Sequence, residues 1–196
     1  MNERIIAICL LAGLAMGRSP RAATLEEIAG GELPSADPVA LVSLFIEADA
    51  DGLQTSGEHW PLVQRFAIWQ DAPGWDTVTV VTAARLLGAR IEGDAASVRV
   101  RYGVLGIMYE GEHGNPILEA LPASTQEIQY TLERQDGAWK IVAPQDGPRV
   151  SVDHALAVRY AKYCGTHDCE REPAIQTLRQ ANQSGPFRVE PLPAHP

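Results

Sequence analysis

Period-two alternation of apolar and polar residues dominates the middle of the chain, and an Asp-Gly turn interrupts it. The alternation runs over Gln126–Arg134 and resumes over Ala138–Val142, after Asp136-Gly137. Asp-Gly between two alternating runs is the strongest short-range indication of a two-residue β-hairpin. This alternation is typical of antiparallel strands that have one face in the core and one in water. The region from Thr77 to Pro144 is therefore predicted to be an antiparallel β-meander.

Two long strands are predicted to precede this hairpin. The first covers Thr77–Glu92, with a change of phase near Val81, and the second runs from Ser97 to about Glu110. A phase change within a strand indicates a β-bulge, and a strand glycine such as Gly88 marks a bend. The sheet is thus predicted to be strongly curved, with about four strands and a wider connection over 111–122. The shared phase predicts which residues face inward, with Arg99 and Arg101 facing solvent: Val98, Val100, Tyr102, Ile128, Tyr130, Leu132, Trp139 and Ile141.

Helical segments are predicted on both sides of the meander. Asp37 is a good N-cap for a first helix, which should end at the Asp51-Gly52 turn. A second helix is predicted from Trp60 to about Gln70, because its apolar residues share one face. Ser151 is predicted to cap a third helix that runs to about Tyr163, and Pro173–Asn182 is predicted to form a last one. The predicted fold class is α+β.

The N-terminus has the character of an export signal. Arg4 precedes a run of thirteen residues, Ile5–Gly17, which is apolar apart from glycine and Cys9. The run is short for spanning a bilayer and fits the hydrophobic segment of a signal peptide. An uncleaved anchor or a buried helix is the alternative. The mature chain is therefore expected to be periplasmic or secreted, without stable membrane insertion.

The chain is predicted to divide into five parts. A signal peptide (1–17) precedes a flexible arm (18–36), which has room for one short helical turn. The α+β domain covers 37–145, followed by a helical extension (146–183). A proline-rich tail (184–196) ends the chain and is expected to be extended or mobile.

The charge balance argues against nucleic acid as a partner. The formal net charge is −9, only two of the 16 basic residues are lysines, and the arginines are scattered along the chain. Because phosphate contacts need clustered Lys and Arg, non-specific binding to nucleic acid is disfavoured. Binding to an anionic membrane surface is disfavoured for the same reason.

Two cysteines, Cys164 and Cys169, would remain after removal of the signal peptide. In an oxidising compartment, a lone pair at short spacing is most simply a disulfide. A metal site is the alternative, because His167 lies between the thiols and His154 is nearby in sequence. Four residues separate the cysteines, rather than the two of thiol–disulfide oxidoreductases, which argues against redox catalysis.

The order of two helices, a curved meander and trailing helices resembles the nuclear transport factor 2-like superfamily, also called ketosteroid-isomerase-like or SnoaL-like. The residues that carry the resemblance are Ala89–Asp94 leading into Val98–Val100, and the closing hairpin Tyr130–Val142 with Trp139 at the start of its last strand. The resemblance covers about Pro38 to Pro144. It implies a cone-shaped domain in which the sheet curls over the helices and encloses a pocket. Some members are isomerases or dehydratases and many are binding or assembly modules, so the fold alone does not settle function.

Five aromatic residues are candidates for lining such a pocket: Trp60, Phe66 and Trp69 on the second helix, and Tyr102 and Tyr130 on the sheet. They could form an apolar ligand site with two hydroxyls that orient the ligand. The alternative is that they are core residues whose hydroxyls bond to backbone or water.

Three residues, His59, Asp71 and Asp76, are the nearest acid–base candidates by position. In isomerases of the superfamily a carboxylate base faces a tyrosine-based oxyanion site. No motif here places an acid opposite a base, so no catalytic residue, cofactor or metal is assigned.

The expected function is that of an exported, non-catalytic domain that binds a small apolar ligand or a protein partner. The alternative is a cofactor-independent isomerase or dehydratase that acts on a small hydrophobic molecule. An enzyme needs at least two of the acid–base and tyrosine groups within reach of one ligand-sized space, whereas a binding module needs only apolar walls. The open face of the sheet could also pair two copies into a homodimer, which would require a broad exposed apolar patch.

Overall fold

A strongly curved sheet, with helices packed against it, forms an α+β half-barrel in the computed structural model, which describes residues 25–164, 169–183 and 185–193. The strands are β1 (Thr77–Glu92), β2 (Ala95–Glu110), β3 (Pro116–Gln135), β4 (Ala138–Ala143), β5 (Arg149–Ser151) and β6 (Val189–Glu190). Strands β1 to β5 lie in the order β4-β3-β2-β1-β5, and β6 pairs with β1. Strands β1 to β4 form an antiparallel meander, whereas β5 and β6 run parallel to β1. The predicted fold class is confirmed.

Five α-helices accompany the sheet in the described part of the chain: α1 (Leu25–Gly30), α2 (Pro38–Ala50), α3 (Trp60–Phe66), α4 (Val152–Arg159) and α5 (Pro173–Asn182). Asp37 caps α2 as predicted, with its Oδ1 accepting from the backbone N of Val39 at 2.8 Å. Ser151 caps α4 through a 3.1 Å hydrogen bond from the backbone N of His154. None of the helices in the described ranges is long and apolar enough to cross a membrane.

The second predicted helix is too long at its C-terminus. Helix α3 ends at Phe66 rather than Gln70, because Ala67 adopts an extended conformation and forms a parallel bridge to Ile141. The ammonium of Lys140 also donates to the carbonyls of Gln64 and Arg65, at 3.1 and 2.6 Å, and so satisfies the end of the helix. Tertiary pairing with β4 therefore overrides the apolar pattern of residues 67–70.

The predicted wide connection over 111–122 is wrong. Strand β3 begins at Pro116, which pairs with Glu110, so the connection contains only 111–115. Proline is tolerated at the first position of a strand, and His113 and Gly114 turn the chain with φ values of 62° and 74°. The Leu121-Pro122-Ala123 segment, which the sequence predicts to be part of the loop, instead lies within β3. It occupies a register shift opposite Val104 and Gly106.

Bulges and glycines produce the curvature of the sheet. Strand β1 shifts register around Val81 and between Leu86 and Gly88, as the change of phase predicted. A Cβ at Gly106 would lie 2.5 Å from the carbonyl oxygen of Glu119, so only glycine permits that close approach of β2 to β3. The curved sheet thus depends on backbone features that can be recognised in the sequence.

The predicted inward face of the sheet is confirmed, and helices α2 and α3 pack in its hollow. Arg99 and Arg101 are exposed, and Arg101 pairs with Glu127 at 2.6 Å on the outer face. Ile128 is half-buried against the core. The other seven predicted residues are buried: Val98, Val100, Tyr102, Tyr130, Leu132, Trp139 and Ile141.

The C-terminal helices close the other end of the same strands with a second apolar cluster. Arg159 ties this region together by donating to the carbonyl of Pro116 and to both carboxylate oxygens of Glu172, at 2.8 and 3.1 Å. The cluster includes Met108, Leu118, Val150, Ile175 and Leu178. Strand β6 lies in the region that was predicted to be a tail, and it is too short for a periodic sequence pattern.

Cys164 and Cys169 form a disulfide, with Cα atoms 5.5 Å apart. This confirms the predicted bond and excludes these two thiols as metal ligands, whereas His167 lies outside the described residues. The predicted signal peptide (1–17) also lies outside them.

Replacing both cysteines with serine should loosen the chain between α4 and α5 and leave the curved sheet folded. The closed loop is short, so we expect a loss of about 2 kcal/mol or less in the free energy of unfolding. Equilibrium denaturation with probes of each region measures this. Thiol titration of the denatured, unreduced chain without residues 1–17 should find no free thiol, and two free thiols would contradict the bond.

Candidate functional site

The hollow of the half-barrel is filled by aromatic side chains of the protein itself. Phe45 of α2 lies with its ring centroid 5.7 Å from Phe66, 6.0 Å from Trp69 and 5.9 Å from Tyr130. The hydroxyls of Tyr102 and Tyr130 are 2.7 Å apart, and both residues are buried. All five predicted pocket residues thus belong to the buried core, and Trp60 alone of the five also lines one of the cavities considered below.

The tyrosine hydroxyls form a neutral pair. Burial raises the pKa of Tyr130 to about 12 and the pKa of Tyr102 well above its usual value. One hydroxyl donates to the other, and the guanidinium carbon of Arg149 lies 5.2 Å from the centre of the Tyr102 ring. The arrangement satisfies two polar groups that would otherwise be unpaired in the core.

Replacing either Tyr102 or Tyr130 with phenylalanine should cost about 1–3 kcal/mol of stability, because each change leaves one buried hydroxyl unpaired. The double variant should cost clearly less than the two single changes together, since no polar group is then left alone. Chemical denaturation of the three variants measures the coupling. Additive costs would show that each hydroxyl has some other partner.

A buried carboxylate lies close to this pair. Asp49, in the last turn of α2, is 2% exposed, and its Oδ2 accepts from the backbone N of Arg149 at 2.8 Å. Its Oδ1 has no hydrogen-bond partner. Burial raises the pKa of Asp49 to about 7, against the opposing effects of Arg149 and Gln54. Asp49 is thus poised to hold a proton near neutral pH.

The side chain of Arg149 extends from β5 into the same region and is fully engaged. It donates to Asp146 Oδ2 at 2.5 Å, to Gln126 Oε1 at 3.2 Å and to the carbonyl of Gly147 at 3.1 Å. The backbone amide of Arg149, rather than its guanidinium, makes the hydrogen bond to Asp49. The guanidinium is therefore held by the loop before β5 and by Gln126 of β3.

A cavity of about 290 Å³ lies beside this buried group, between the loop after α2, the first turn of α3 and the loop before β1. The indoles of Trp60 and Trp75 are on its wall, and no lining residue is charged. The lining residues are Gln54, Thr55, Ser56, Gly57, Trp60, Ala72, Pro73, Gly74, Trp75 and Val78. We refer to it below as the indole cavity.

Two buried polar atoms without a partner belong to residues of the indole cavity. These are Oε1 of Gln54, a residue that is 5% exposed, and Nε1 of Trp75. Trp60 differs, because its Nε1 donates to the carbonyl of Gln70 at 3.1 Å. A buried polar group without a partner is costly, and such groups often mark places where water or a ligand completes the hydrogen bonding.

Two other cavities in the described region are less suited to enclose a small apolar molecule. A surface groove of about 400 Å³ separates α1 from α3, with Leu25, Leu62 and Arg65 among its lining residues. The guanidinium of Arg65 is occupied with carbonyls at the end of α1, including that of Ile28 at 2.7 Å. A cavity of about 280 Å³ at the end of the sheet is lined by charged Arg90, Glu92 and Glu133.

The predicted acid–base candidates do not gather around the tyrosines. Asp71 and Asp76 are exposed, and His59 is half-buried with its Nδ1 3.5 Å from the carbonyl oxygen of Gly52. Within the described ranges, no group of three or more His, Cys, Asp and Glu side chains could hold a metal ion.

Sequence reasoning missed Asp49, Gln54, Trp75 and Arg149. A signal existed for Asp49, because it continues the inward stripe of α2 at a spacing of three or four residues after Val42, Phe45 and Ile46. Its position before Ala50-Asp51-Gly52 instead suggested a polar helix end. The other three lie in loops or in a very short strand, where no periodic pattern indicates the direction of a side chain.

Comparisons with known proteins add little to this description. No family model matches the chain, and no curated protein is detectably similar to it. One similar solved structure is that of a variant of Rv3472, a function-unknown protein from Mycobacterium tuberculosis, at 22% identity and a TM-score of 0.19. The match covers 53% of this chain and spans about half of that protein, 53% of its length. Nothing about the function of this chain follows from it.

Proposed function

We propose that this chain is an exported, non-catalytic member of the nuclear transport factor 2-like superfamily that binds a small, largely apolar molecule in the indole cavity. The observation that carries the proposal is a cavity with two indoles and no charged side chain on its wall. Ligand sites are typically concave and mostly apolar, with a few polar groups that orient the ligand. The indole cavity has this composition, and its volume of about 290 Å³ is at the small end of the range that is usual for ligand sites.

Two features support the family and the export. The strongly curved half-barrel sheet, with α2 and α3 in its hollow, is compatible with the cone of that superfamily. The apolar run Ile5–Gly17 and the Cys164–Cys169 disulfide both suit a chain that leaves the cytosol. The chain produced in a bacterial host with residues 1–17 present should then be recovered from the periplasm, with a mass that lacks about 17 residues.

The cavity can be tested by filling it. Gly74 lines the indole cavity, and a Cβ at this residue would meet no atom within 4 Å, so Gly74→Phe should be tolerated and should project into or across the space. Gly30→Phe is a matched control, because Gly30 is equally open and does not line the cavity. The neutral dye N-phenyl-1-naphthylamine serves as the probe.

We expect the unmodified protein and the Gly30→Phe variant to bind the dye equally, and Gly74→Phe to bind it at least about tenfold more weakly. Native mass spectrometry of the purified proteins should show any molecule carried through purification on the first two only. Equal binding by both variants, or no binding by the unmodified protein, would refute the cavity as the site.

A catalytic function is the second candidate, and the raised pKa of Asp49 favours it. A carboxyl near pKa 7 beside two tyrosine hydroxyls has the composition of an acid–base site. Against it, the hydroxyls are bonded to each other in the core, and substrate access would require the aromatic packing around Phe45 to open. If Tyr102→Phe removed dye binding without lowering stability, the hydroxyl pair would face a ligand and the catalytic candidate would gain.

Assembly through the open face of the sheet has less support. Among the described residues, the large apolar side chains exposed to solvent are Ile91 and Ile117, and charged Arg85, Arg99 and Arg101 are exposed on the strands between them. A broad apolar patch would be expected of an interface that pairs two copies.

A further inference from the structure

We propose that the indole cavity binds its ligand together with one proton, which Asp49 holds, so that the ligand is released as the pH rises through neutrality. This inference rests on the proposed function and adds a regulation of the same site to it. Two observations carry it: a carboxyl group buried in the last turn of α2, and a residue of the cavity wall, Gln54, that lies against this carboxyl.

Gln54 connects the buried carboxyl to the cavity. Burial raises the pKa of Asp49, and the Gln54 side chain lies close enough to oppose this by stabilising the charged form. Neither Oδ1 of Asp49 nor Oε1 of Gln54 has a hydrogen-bond donor, so a proton on the carboxyl adds one donor to a contact that otherwise has two unpaired acceptors. Because Gln54 also lines the cavity, a single side chain separates the carboxyl from the space of the ligand.

The turn after α2 keeps the carboxyl and the wall together. Gly52 N donates to Asp49 O at 2.9 Å, and the backbone N and the Oγ1 of Thr55 both donate to Gly52 O, at 3.1 and 2.8 Å. Thr55 lines the cavity next to Gln54. The wall therefore cannot move away from the carboxyl without breaking these hydrogen bonds, and a change of charge on Asp49 acts directly on the wall.

A ligand in the cavity favours the protonated form of Asp49. In the free protein, solvent that enters the cavity stabilises a charge on this carboxyl, because a charge interacts with polar surroundings beyond its nearest neighbours. An apolar ligand displaces that solvent and so raises the pKa of Asp49 further. By linkage, protonation of Asp49 strengthens ligand binding by the same factor. The affinity is therefore highest at low pH and falls as the pH rises through about 7.

The ionisable groups on the sheet side of Asp49 do not change charge near neutral pH. Burial raises the pKa of Tyr130 to about 12 and the pKa of Tyr102 well above its usual value, so both hydroxyls stay neutral. Arg149 stays positive, since a guanidinium does not lose its proton in proteins, and it pairs with Asp146 at 2.5 Å. These groups therefore contribute a constant field and no pH dependence.

The ionisable groups on the helix side can be separated from Asp49 by pH and by substitution. His154 of α4 lies against Gly52, and burial lowers the pKa of its imidazole below the usual 6.5, against the opposing charge of exposed Asp51. His154 is therefore neutral near pH 7 and above. Glu47 is half-buried on α2, and burial raises its pKa. His59 lines the groove between α1 and α3 rather than the indole cavity. Glu47→Gln and His59→Gln are thus suitable controls.

The test measures binding of N-phenyl-1-naphthylamine by fluorescence between pH 6.0 and pH 8.5, a range in which the dye itself stays neutral. We expect the unmodified protein to bind the dye at least about fivefold more weakly at pH 8.5 than at pH 6.0. Asp49→Asn, which has no proton to lose, should bind equally at both pH values, with an affinity close to that of the unmodified protein at pH 6.0. The variants Glu47→Gln and His59→Gln should keep the full pH dependence.

The outcomes distinguish this inference from the proposed function. If the unmodified protein binds no dye at any pH, the proposed function fails and the inference fails with it. If the dye binds equally at pH 6.0 and pH 8.5, the cavity is a ligand site but the coupling to a proton is wrong. If Asp49→Asn keeps the pH dependence, another group holds the proton and the role of Asp49 is refuted.

Proton uptake gives a second readout that does not depend on a variant. Calorimetric titration of the dye at pH 7.5, in phosphate and in Tris buffer, reports protons taken up on binding, because the two buffers differ in ionisation enthalpy. We expect the unmodified protein to take up about half a proton per bound dye, as a raised pKa of Asp49 in the complex requires. Equal binding enthalpies in the two buffers would overturn the inference even if Asp49→Asn does not fold.

Discussion

Replacing Asp49 with asparagine is expected to remove most of the pH dependence of stability between pH 4 and pH 7. Burial raises the pKa of this carboxyl from 3.8 to about 7 in the folded protein, so the folded state holds a proton that the unfolded state has lost. In that range the free energy of unfolding therefore falls as the pH rises. The proton on Asp49 contributes its full stabilisation below about pH 4 and none above about pH 7. The free energy of unfolding therefore falls by about 4 kcal/mol across this range.

The asparagine variant should match the unmodified protein near pH 4 and be more stable above pH 7. An amide at this position still accepts from the backbone N of Arg149 and carries a donor for Gln54, but it has no charge to bury. Urea denaturation from pH 4 to pH 8 measures both curves. Burial also raises the pKa of Glu47 on the same helix and lowers the pKa of His154, so two smaller contributions of opposite sign should remain.

Asp71→Asn provides the control, because Asp71 is exposed to solvent. Its curve should follow that of the unmodified protein. If the Asp49→Asn variant were less stable at pH 8, the carboxylate would be favourable in its charged form. Arg149 would then stabilise Asp49 by more than burial costs it.

The sheet could be predicted from the sequence because local signals and burial agree there. Asp136 and Gly137 both have positive φ, 50° and 84°, as a tight hairpin turn requires, and the alternation on either side places one face of each strand inward. The start of β3 could not be predicted in this way. Pro116 and Pro122 suggest a loop when they are considered alone, and only pairing with β2 shows that the strand accommodates them.

The indole cavity was beyond prediction for a different physical reason. Its walls come from segments 54–57 and 72–75, which lack regular periodicity, and their approach depends on how α2, α3 and β1 pack. Trp60 was predicted to line a ligand site and does line this cavity, whereas Phe66, Trp69, Tyr102 and Tyr130 fill the hollow of the half-barrel. Aromatic residues on inward faces look alike in sequence whether they meet each other or a ligand.

The turn that connects α2 to the indole cavity depends on Gly52. Leu53 N donates to Ala48 O at 3.0 Å and Gly52 N to Asp49 O at 2.9 Å, the two hydrogen bonds of a Schellman motif. Gly52 has φ of +92°, and a Cβ there would lie 2.2 Å from Cε1 of the His154 ring. Gly52→Ala is therefore expected to cost about 3 kcal/mol, part from backbone strain and part from overlap with the imidazole.

A double-mutant cycle separates these two parts. In a His154→Ala background the overlap is gone and the left-handed φ remains, so Gly52→Ala should then cost only about 1 kcal/mol. Gly57→Ala is the control in the same loop, because a Cβ at Gly57 meets nothing within 4 Å and its φ is not left-handed, and its effect on stability should be close to zero. Chemical denaturation gives all four corners of the cycle. Gln54 lies two residues beyond Gly52, so Gly52→Ala should also weaken dye binding in the fraction that stays folded. Equal costs in both backgrounds would show that the whole cost of Gly52→Ala comes from backbone strain and that the His154 ring moves aside freely.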